Sequence, residues 1–141
     1  MNLSTEPSFT GGCLCGAVRY EVKADPIFSI NCYCLNCQKT TGGGCAPILM
    51  MPLAALTVKG QVQYYSSLGD TGQPVERGFC STCGSPLFGK PAALPGMLGI
   101  KAASLDEPQR YQPSADMYTD SAQDWDCMDP KLPKFAKAPP G

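Results

Sequence analysis

The sequence predicts a single, mainly β domain, and three observations support this fold class. Fifteen Gly and 14 Pro occur among 141 residues, which favours many turns and short strands over long helices. Several segments alternate apolar and polar residues, the pattern of a strand with one buried face. Nine Cys fall in closely spaced groups that are far apart along the chain, a pattern typical of metal sites. We expect an N-terminal arm over 1–10 and one domain over 11–141.

The predicted elements are short and separated by turns. The clearest strand is AVRYEV at 17–22, and further strands are predicted at 27–33, 45–51, 75–79 and 97–102. The segments 56–58 and 62–66 flank Lys59-Gly60 and predict a hairpin. Helices are predicted only at 36–40 and at 104–107, the second with Ser104 as N-cap. From Asp116 onward the chain is polar and rich in Pro, which predicts an extended tail on the domain, with Trp125 among its apolar anchors.

Charge and hydropathy argue against several classes of partner. Lys and Arg total 11 against 12 for Asp and Glu, which gives no basis for binding a nucleic acid or an anionic membrane. No apolar run approaches the ~20 residues of a membrane-spanning helix. The first residues, MNLSTEPSFTGG, lack the pattern of a secretion signal. We therefore expect a cytoplasmic location, and a monomer or small homo-oligomer.

Two cysteine pairs predict a closed metal site. CLC contains Cys13 and Cys15, CSTC contains Cys80 and Cys83, and each pair is followed by Gly. Disulfides are the weaker interpretation, because the number of cysteines is odd and a C-x-C bridge closes a small strained ring. Four thiolates are the donor set of a structural zinc, and the following Gly lets backbone N–H groups turn toward the sulfurs. The alternative is two unrelated buried turns.

A third group, NCYCLNCQK, contains Cys32, Cys34 and Cys37. Three thiolates can hold a zinc whose fourth position stays open to water or a substrate thiol, as in reactive sites. Alternatively, Cys45 or Cys127 closes the site, the thiols pack without metal, or an additional thiolate completes an iron–sulfur cluster. A redox sensor that uses Cys34 or Cys37 as a low-pKa thiol also fits the pattern. Cys45 and Cys127 have no assigned role, although Cys45 is expected to be a small buried residue.

The chain contains no histidine, which limits how protons can be transferred. Candidates for this work near the third group are Tyr33, which either points to the open position or packs on the other face of its strand, and Lys39. Gln38 or Lys39 can orient a substrate or stabilise charge. These are the candidate site residues beyond the thiols.

The motifs GGCLCGAVRY, CYCLNCQK and FCSTCGSPLF, followed by a tail W…LPKF…PP, resemble the glutathione-dependent formaldehyde-activating enzyme family, which includes the centromere protein V group. The resemblance implies a β-tent fold of small antiparallel sheets, with a structural zinc on Cys13, Cys15, Cys80 and Cys83. It implies a second zinc on Cys32, Cys34 and Cys37. It also implies formation of S-hydroxymethylglutathione from glutathione and formaldehyde. Tyr33 and Asp116 stand where the family often has histidine.

Two functions follow as expectations. The first is a zinc-dependent carbon–sulfur lyase or synthase that acts on glutathione or a similar thiol and a small aldehyde adduct. The second is a non-catalytic zinc-stapled module that binds a partner or senses thiols or metal. With the first function, two zinc ions per chain are expected, the second of them labile, and glutathione is the expected thiol substrate.

Overall fold

The computed structural model describes residues 8–140, in which the chain forms eleven strands, one α-helix and several one-turn 3-10 helices. The elements are β1 (Phe9–Gly12), β2 (Arg19–Val22), β3 (Phe28–Cys32), α1 (Leu35–Thr41), β4 (Ala46–Pro52), β5 (Leu56–Lys59), β6 (Val62–Leu68), β7 (Pro74–Cys80), β8 (Pro86–Pro91), β9 (Met97–Lys101), β10 (Ala115–Met117) and β11 (Lys134–Phe135). The mainly β prediction is confirmed. Most of the predicted arm lies outside the described residues, and the chain enters its first strand at Phe9.

The strands form two sheets. The smaller sheet has the order β1-β2-β5, and the larger has the order β11-β10-β3-β4-β9-β8-β7-β6. Neighbouring strands are antiparallel, except that β10 runs parallel to both β3 and β11. The strands predicted from 17–22, 27–33, 45–51, 75–79 and 97–102 are present within two residues of the expected ends, and α1 contains the predicted helical turn.

The predicted hairpin around Gly60 is wrong. β5 pairs with β2 in the smaller sheet, whereas β6 pairs with β7 in the larger one, so the chain crosses between sheets at this point. Gly60 has a φ of +99°, and a Cβ there would lie 2.1 Å from the Ala17 carbonyl oxygen. The glycine is therefore needed for a close backbone crossing rather than for a two-strand turn.

The predicted helix at 104–107 is also wrong, because one-turn 3-10 helices flank that segment instead. The Ser104 hydroxyl donates to the Lys101 carbonyl (2.7 Å) rather than capping a following helix. Trp125 does not anchor the tail by burial, since its side chain is 69% exposed.

The main core lies between the two sheets. β2 contributes Tyr20 and Val22, and the larger sheet contributes Phe88 and Ile100 among other fully buried side chains. The Tyr20 and Phe88 rings meet edge to face, with centroids 5.3 Å apart. Burial of each such side chain is worth about 1.5–3 kcal/mol, so this layer holds the sheets against each other.

The other face of the larger sheet carries the candidate site. Successive side chains on a strand point to opposite faces, so residues that alternate with the core residues lie on this second face. On β4, Leu49 and Met51 face the core while Ile48 and Met50 face away from it. On β9, Lys101 is the partner of Ile48 and lies on the same face.

Candidate functional site

The first two cysteine pairs converge, although Cys15 and Cys80 are 65 residues apart in sequence. The Sγ atoms of Cys13, Cys15, Cys80 and Cys83 all lie within 4.8 Å of one another. Cys13 and Cys15 are 3.6 Å apart at Sγ, and Cys15 and Cys80 are 3.8 Å apart. Sulfurs placed tetrahedrally around zinc at ~2.3 Å are ~3.8 Å from one another. The residues present therefore fit a closed four-thiolate site.

Backbone geometry around these sulfurs also suits a metal. The Val18 N–H donates to Cys13 Sγ (3.2 Å), and the Thr82 and Cys83 N–H groups donate to Cys80 Sγ (3.3 and 3.4 Å). Gly16 and Gly84 follow the two pairs with φ of +81° and +77°. A Cβ at either glycine would meet nothing within 4 Å, so it is the backbone conformation that favours glycine there.

This four-thiol cluster connects the two sheets. Cys13 and Cys15 lie in the connection between β1 and β2, and Cys80 ends β7. Ser85 links the two halves, because its Oγ accepts the Leu14 N–H (3.0 Å) and lies 3.1 Å from Cys83 Sγ. The Ser85 hydroxyl and backbone lower the pKa of Cys83 to about 5, which favours the thiolate that a metal binds.

The second cluster forms where β3 passes into α1. Cys32 is the last residue of β3, Cys34 is the N-cap of α1, and Cys37 is in its first turn. The Cys37 N–H donates to Cys34 Sγ (3.3 Å), so the cap itself directs a sulfur into the cluster. The three Sγ atoms lie within 4.8 Å of one another, and this three-thiol cluster is the second candidate metal site within residues 8–140.

The three thiols share protons because they lie so close together. Hydrogen bonds from Cys32 and Cys34 lower the pKa of Cys37, with further help from the positive charges of Lys101 and Arg77. The pKa of Cys32 is raised, since its thiol is the donor to the other two and is buried. A metal cation that binds the three sulfurs displaces their remaining protons. The donor set therefore fits a metal with three sulfur ligands.

Neither unassigned cysteine completes this cluster in the described part of the chain. Cys45 lies outside it, and burial raises the pKa of its thiol although the neighbouring Tyr33 hydroxyl opposes that shift. Cys127 is exposed and is likewise not part of the three-thiol cluster. The three-thiol cluster therefore keeps a position without a sulfur ligand from residues 8–140.

Tyr33 is buried and faces Cys45. Its pKa is raised by burial and by the negative charge on Cys45 and nearby carboxylates. Cys32 and Cys34 flank it in sequence, and the alternation of an extended chain turns the middle side chain to the opposite face. Tyr33 is consequently not among the residues that line the cavity described below.

Gln38 holds the second cluster to the tail. Its Nε2 donates to the carbonyls of Tyr33 (2.7 Å) and Ser121 (2.9 Å), and its Oε1 accepts from Gln123 (2.8 Å). Lys39 is exposed on α1 and lies outside the cavity lining.

Asp116 is also engaged by the tail. It is 1% exposed, accepts a hydrogen bond from Asn31 Nδ2 (2.9 Å) and has Lys134 Nζ 2.7 Å from its Oδ2. The angles between Lys134 Nζ and Asp116 Oδ2 do not suit a hydrogen bond, so the two groups form an ion pair only.

A cavity of about 970 Å³ opens beside the three-thiol cluster and is lined mainly by apolar side chains. Its floor is the outer face of the larger sheet, including Phe28, Ile48 and Met50. The 68–75 connection and the C-terminal tail from 133 onward lie along its edges. Volumes of this size are typical of sites for small organic ligands.

Lys101, Arg77 and Tyr118 are cavity residues that the sequence interpretation missed. Lys101 is only 9% exposed, and burial lowers its pKa while the thiolate of Cys37 opposes that shift. The Nη1 of Arg77 donates a hydrogen bond to Ser67 Oγ (3.0 Å). Among the described residues, neither cation forms an ion pair with a carboxylate.

Tyr118 lines the cavity in a left-handed conformation, with φ of +57°, which is uncommon outside Gly, Asn and Asp. Burial and nearby negative groups, including Asp70 and Cys32, raise its pKa.

Sequence signals for these residues are weak. Lysine is unusual in a strand as buried as MLGIK, in which the other residues are apolar or glycine. This pattern alone could have directed attention to Lys101. Arg77 and Tyr118 carry no comparable local signal, since their position beside the thiols depends on how distant strands pair.

The fold and the two clusters define a small, mainly β protein with two candidate metal sites, one closed by four thiols and one open to a cavity. The chain belongs to the family described as glutathione-dependent formaldehyde-activating enzyme, whose sequence profile matches residues 8–121.

Two relatives carry the family's name, and one solved structure has a similar fold. A Halomonas elongata protein that carries the family's name is 36% identical over 101 residues, which are 68% of this chain and 64% of that protein. An Emericella nidulans protein with the same name is 28% identical over 60% of this chain and 45% of its own length. This chain therefore spans about half to two thirds of these relatives. A crystal structure of a Rhodobacter sphaeroides protein matches with a TM-score of 0.56 and 27% identity, over 69% of this chain and 87% of that one.

Within residues 8–140, the helices are too short and too polar to cross a membrane.

Proposed function

We propose that this protein is a zinc-dependent carbon–sulfur lyase or synthase that joins a thiol such as glutathione to a small aldehyde and also reverses that step. The single observation that carries the proposal is a three-thiol cluster at the wall of a large cavity, with no fourth sulfur ligand from residues 8–140. Membership of a family named for glutathione and formaldehyde supports the choice of reactants. Its other named relatives share that description.

The two clusters have different tasks in this proposal. Cys13, Cys15, Cys80 and Cys83 hold a structural zinc, whereas Cys32, Cys34 and Cys37 hold a second zinc that is labile. A zinc on three thiolates supplies an open coordination position at which a thiol becomes a thiolate near neutral pH. We expect the protein to work in the cytoplasm, because nine free cysteines suit a reducing compartment.

The proposed step is a balanced addition without oxidation or reduction. The substrate sulfur forms a bond to the carbonyl carbon, the carbon–oxygen π bond breaks, and the proton of the thiol ends on the oxygen. The reverse direction breaks the carbon–sulfur bond and returns thiol and aldehyde. Because the chain has no imidazole, we assign the proton transfer to Lys101 and Tyr118, which line the cavity and are close enough to Cys32 and Cys34 to interact with them electrostatically.

The remaining predicted residues support the site from outside the cavity. We assign Gln38 to positioning, because its amide ties α1 to the backbone of Tyr33 and Ser121. We assign Tyr33 to positioning as well, because it is buried and its carbonyl accepts the Gln38 amide. Lys39 is exposed, so we assign the stabilisation of negative charge to Lys101 and Arg77 instead.

The test combines metal analysis with exchange kinetics. Freshly purified protein should contain two zinc ions, and glutathione should change the coordination or retention of one of them. Exchange spectroscopy by NMR should show that the protein accelerates interconversion of glutathione, formaldehyde and their adduct. Cys34→Ser should lose the second zinc and the acceleration, whereas Cys127→Ser, at an exposed thiol outside both clusters, should keep both. A single zinc that survives Cys34→Ser, with no effect of thiols, would favour the non-catalytic module and overturn the proposal.

A further inference from the structure

The cavity is far larger than formaldehyde requires. Formaldehyde has only two heavy atoms, so its volume is of the same order as that of a water molecule, which occupies ~30 Å³ in the liquid. The cavity of about 970 Å³ could hold it many times over. Glutathione does not account for the remaining space well, because it carries two carboxylates and an ammonium group, whereas most of the lining is apolar. Buried polar groups without partners are costly, so an apolar lining selects an apolar occupant.

The floor of the cavity contains two glycines that face each other across neighbouring strands. Gly89 on β8 is the register partner of Gly99 on β9, and both line the cavity. Neither has a positive φ, so the backbone does not need glycine at either position. A Cβ on Gly99 would meet Ile48 Cγ2 at 2.8 Å, but a Cβ on Gly89 would meet nothing within 4 Å. Glycine in a strand that has an ordinary conformation and open space above it marks a place where a ligand approaches the sheet.

One end of the same floor is cationic. Lys101 continues β9 beyond Gly99, and Arg77 is the register partner of Gly89 on β7. Both side chains line the same cavity as Cys37. Lys101 is nine-tenths buried and has no carboxylate partner among residues 8–140. A buried cation of this kind calls for an anion or a developing negative charge.

We propose that the carbonyl reactant is an aldehyde with an apolar body, aromatic or branched alkyl, which lies over Gly89 and Gly99 while its oxygen faces Lys101 and Arg77. This inference rests on the proposed function and extends it to the class of substrate. When the thiol sulfur bonds to the aldehyde carbon, the carbonyl π electrons move to the oxygen, and the two cations stabilise that negative charge until the thiol proton arrives there. The product is the hydroxyalkyl thioether adduct, and no oxidant or reductant is consumed.

The first test compares aldehydes of increasing size with glutathione held constant. Exchange rates with formaldehyde, isobutyraldehyde and phenylacetaldehyde are measured by NMR on the zinc-loaded protein. We expect kcat/KM to rise by about tenfold or more from formaldehyde to phenylacetaldehyde, since pocket contacts of this size discriminate by such factors. Acceleration with formaldehyde alone overturns the inference but not the proposed function. No acceleration with any aldehyde overturns both.

A second arm decides which reactant carries the apolar body. Formaldehyde is held constant while the thiol is changed from glutathione to benzyl mercaptan. We expect the larger thiol to bring no gain. A gain with the apolar thiol, without one in the aldehyde series, would place the apolar body on the sulfur side and overturn the assignment to the aldehyde.

The floor is tested with Gly89→Val and a matched control, Gly43→Val. Valine suits a strand, and Gly43 is exposed, outside the cavity, and likewise free of a positive φ. Gly89→Val should lower kcat/KM for phenylacetaldehyde at least about tenfold while leaving formaldehyde within about twofold. It should also lose the rise in Tm that the unreactive 2-phenylethanol gives the unmodified protein, a readout that does not depend on turnover. If Gly89→Val and Gly43→Val had the same kcat/KM for phenylacetaldehyde and the same rise in Tm with 2-phenylethanol, the aldehyde would not lie over Gly89.

The cationic end is tested with Arg77→Gln and its conservative counterpart Arg77→Lys. Because the oxygen is common to all aldehydes, Arg77→Gln should lower kcat for small and large aldehydes alike, by about tenfold, with KM little changed. Arg77→Lys should restore most of kcat. Zinc content measured on each variant separates this effect from loss of metal. A change confined to KM, or no rescue by lysine, would contradict the assignment.

Discussion

At the scale of single residues, Ser85 controls the acidity of Cys83, a candidate metal ligand. Its hydroxyl lies 3.1 Å from Cys83 Sγ, and together with its backbone it lowers the pKa of that thiol from 9.0 to about 5. A lowered pKa in the folded state contributes stability that is present above pH 9 and is lost as the pH falls through about 5. Protons would therefore compete with a metal bound at Cys83 only under acidic conditions.

Ser85→Ala should raise the pKa of Cys83 toward 9.0, so that protons displace the metal at higher pH. We expect the midpoint pH of zinc release to rise by about half a pH unit, because only one of four thiols is affected. Titration with acid in the presence of a chromogenic zinc chelator measures it. Ser81→Ala, at an exposed serine next to Cys80, is the control and should leave the midpoint unchanged. A midpoint that does not move in Ser85→Ala would contradict this account.

The ion pair between Asp116 and Lys134 is a second residue-scale feature. Asp116 is 1% exposed, so removal of its cation leaves a buried carboxylate with only Asn31 as a donor. Lys134→Met should lower the free energy of unfolding by about 1–3 kcal/mol, whereas Lys131→Met, at an exposed lysine of the same tail, should change it little. Urea denaturation measures both variants. Addition of Asp116→Asn to Lys134→Met should recover part of the loss, and equal effects of the two lysine substitutions would refute the pairing.

At the scale of elements, the turn after each cysteine pair of the four-thiol cluster is built around a left-handed glycine. Gly84 has φ of +77° and open space around it, so a side chain there is opposed only by backbone strain. Gly84→Ala should lower the free energy of unfolding of the zinc-loaded protein by about 1–2 kcal/mol. Gly84→Asn should cost less, because asparagine tolerates this conformation.

Gly43→Ala is the matched control for that measurement, since Gly43 has no positive φ and its nearest neighbour lies 3.9 Å from a Cβ. It should leave stability within a few tenths of a kcal/mol. An equal loss in Gly84→Ala and Gly43→Ala would mean that the left-handed turn is not what requires glycine.

At the scale of the whole molecule, the four-thiol cluster joins the two sheets. Cys13 and Cys15 belong to the β1–β2 connection of the smaller sheet, and Cys80 ends a strand of the larger one. Binding of a metal here closes a loop of more than sixty residues and contributes its binding free energy to folding. The three-thiol cluster lies within one region of one sheet and closes only a short loop.

Loss of a metal from the four-thiol cluster should therefore lower thermal stability more than loss of a metal from the three-thiol cluster. Cys83→Ser should lower Tm by at least about 10 °C or prevent folding, whereas Cys34→Ser should lower zinc content by one ion with little change in Tm. Thermal unfolding by circular dichroism, with zinc content measured on the same samples, tests this contrast. A fully folded Cys83→Ser protein with the original Tm would show that the closed site does not hold the sheets together.

The sequence by itself was sufficient for the features that depend on neighbours along the chain. The C-x-C and C-x-x-C spacings indicated both thiol clusters, because ligands on one turn converge on a metal whatever the rest of the fold does. Alternation in AVRYEV predicted β2, and the turn at 36–40 predicted α1. The family resemblance rested on the same local motifs, and the profile match over residues 8–121 agrees with it.

Only the tertiary structure decided which strands pair and what stands beside the reactive thiols. The Lys59-Gly60 signal was compatible with a hairpin, but β5 pairs with β2 in the smaller sheet and β6 pairs with β7 in the larger one. Lys101, Arg77 and Gly89 come from three strands and share one cavity only because of that pairing. Long-range register depends on the packing of faces across the whole core, which no short stretch of sequence encodes. The sequence therefore predicted both clusters, but it did not predict the cavity beside the three-thiol cluster.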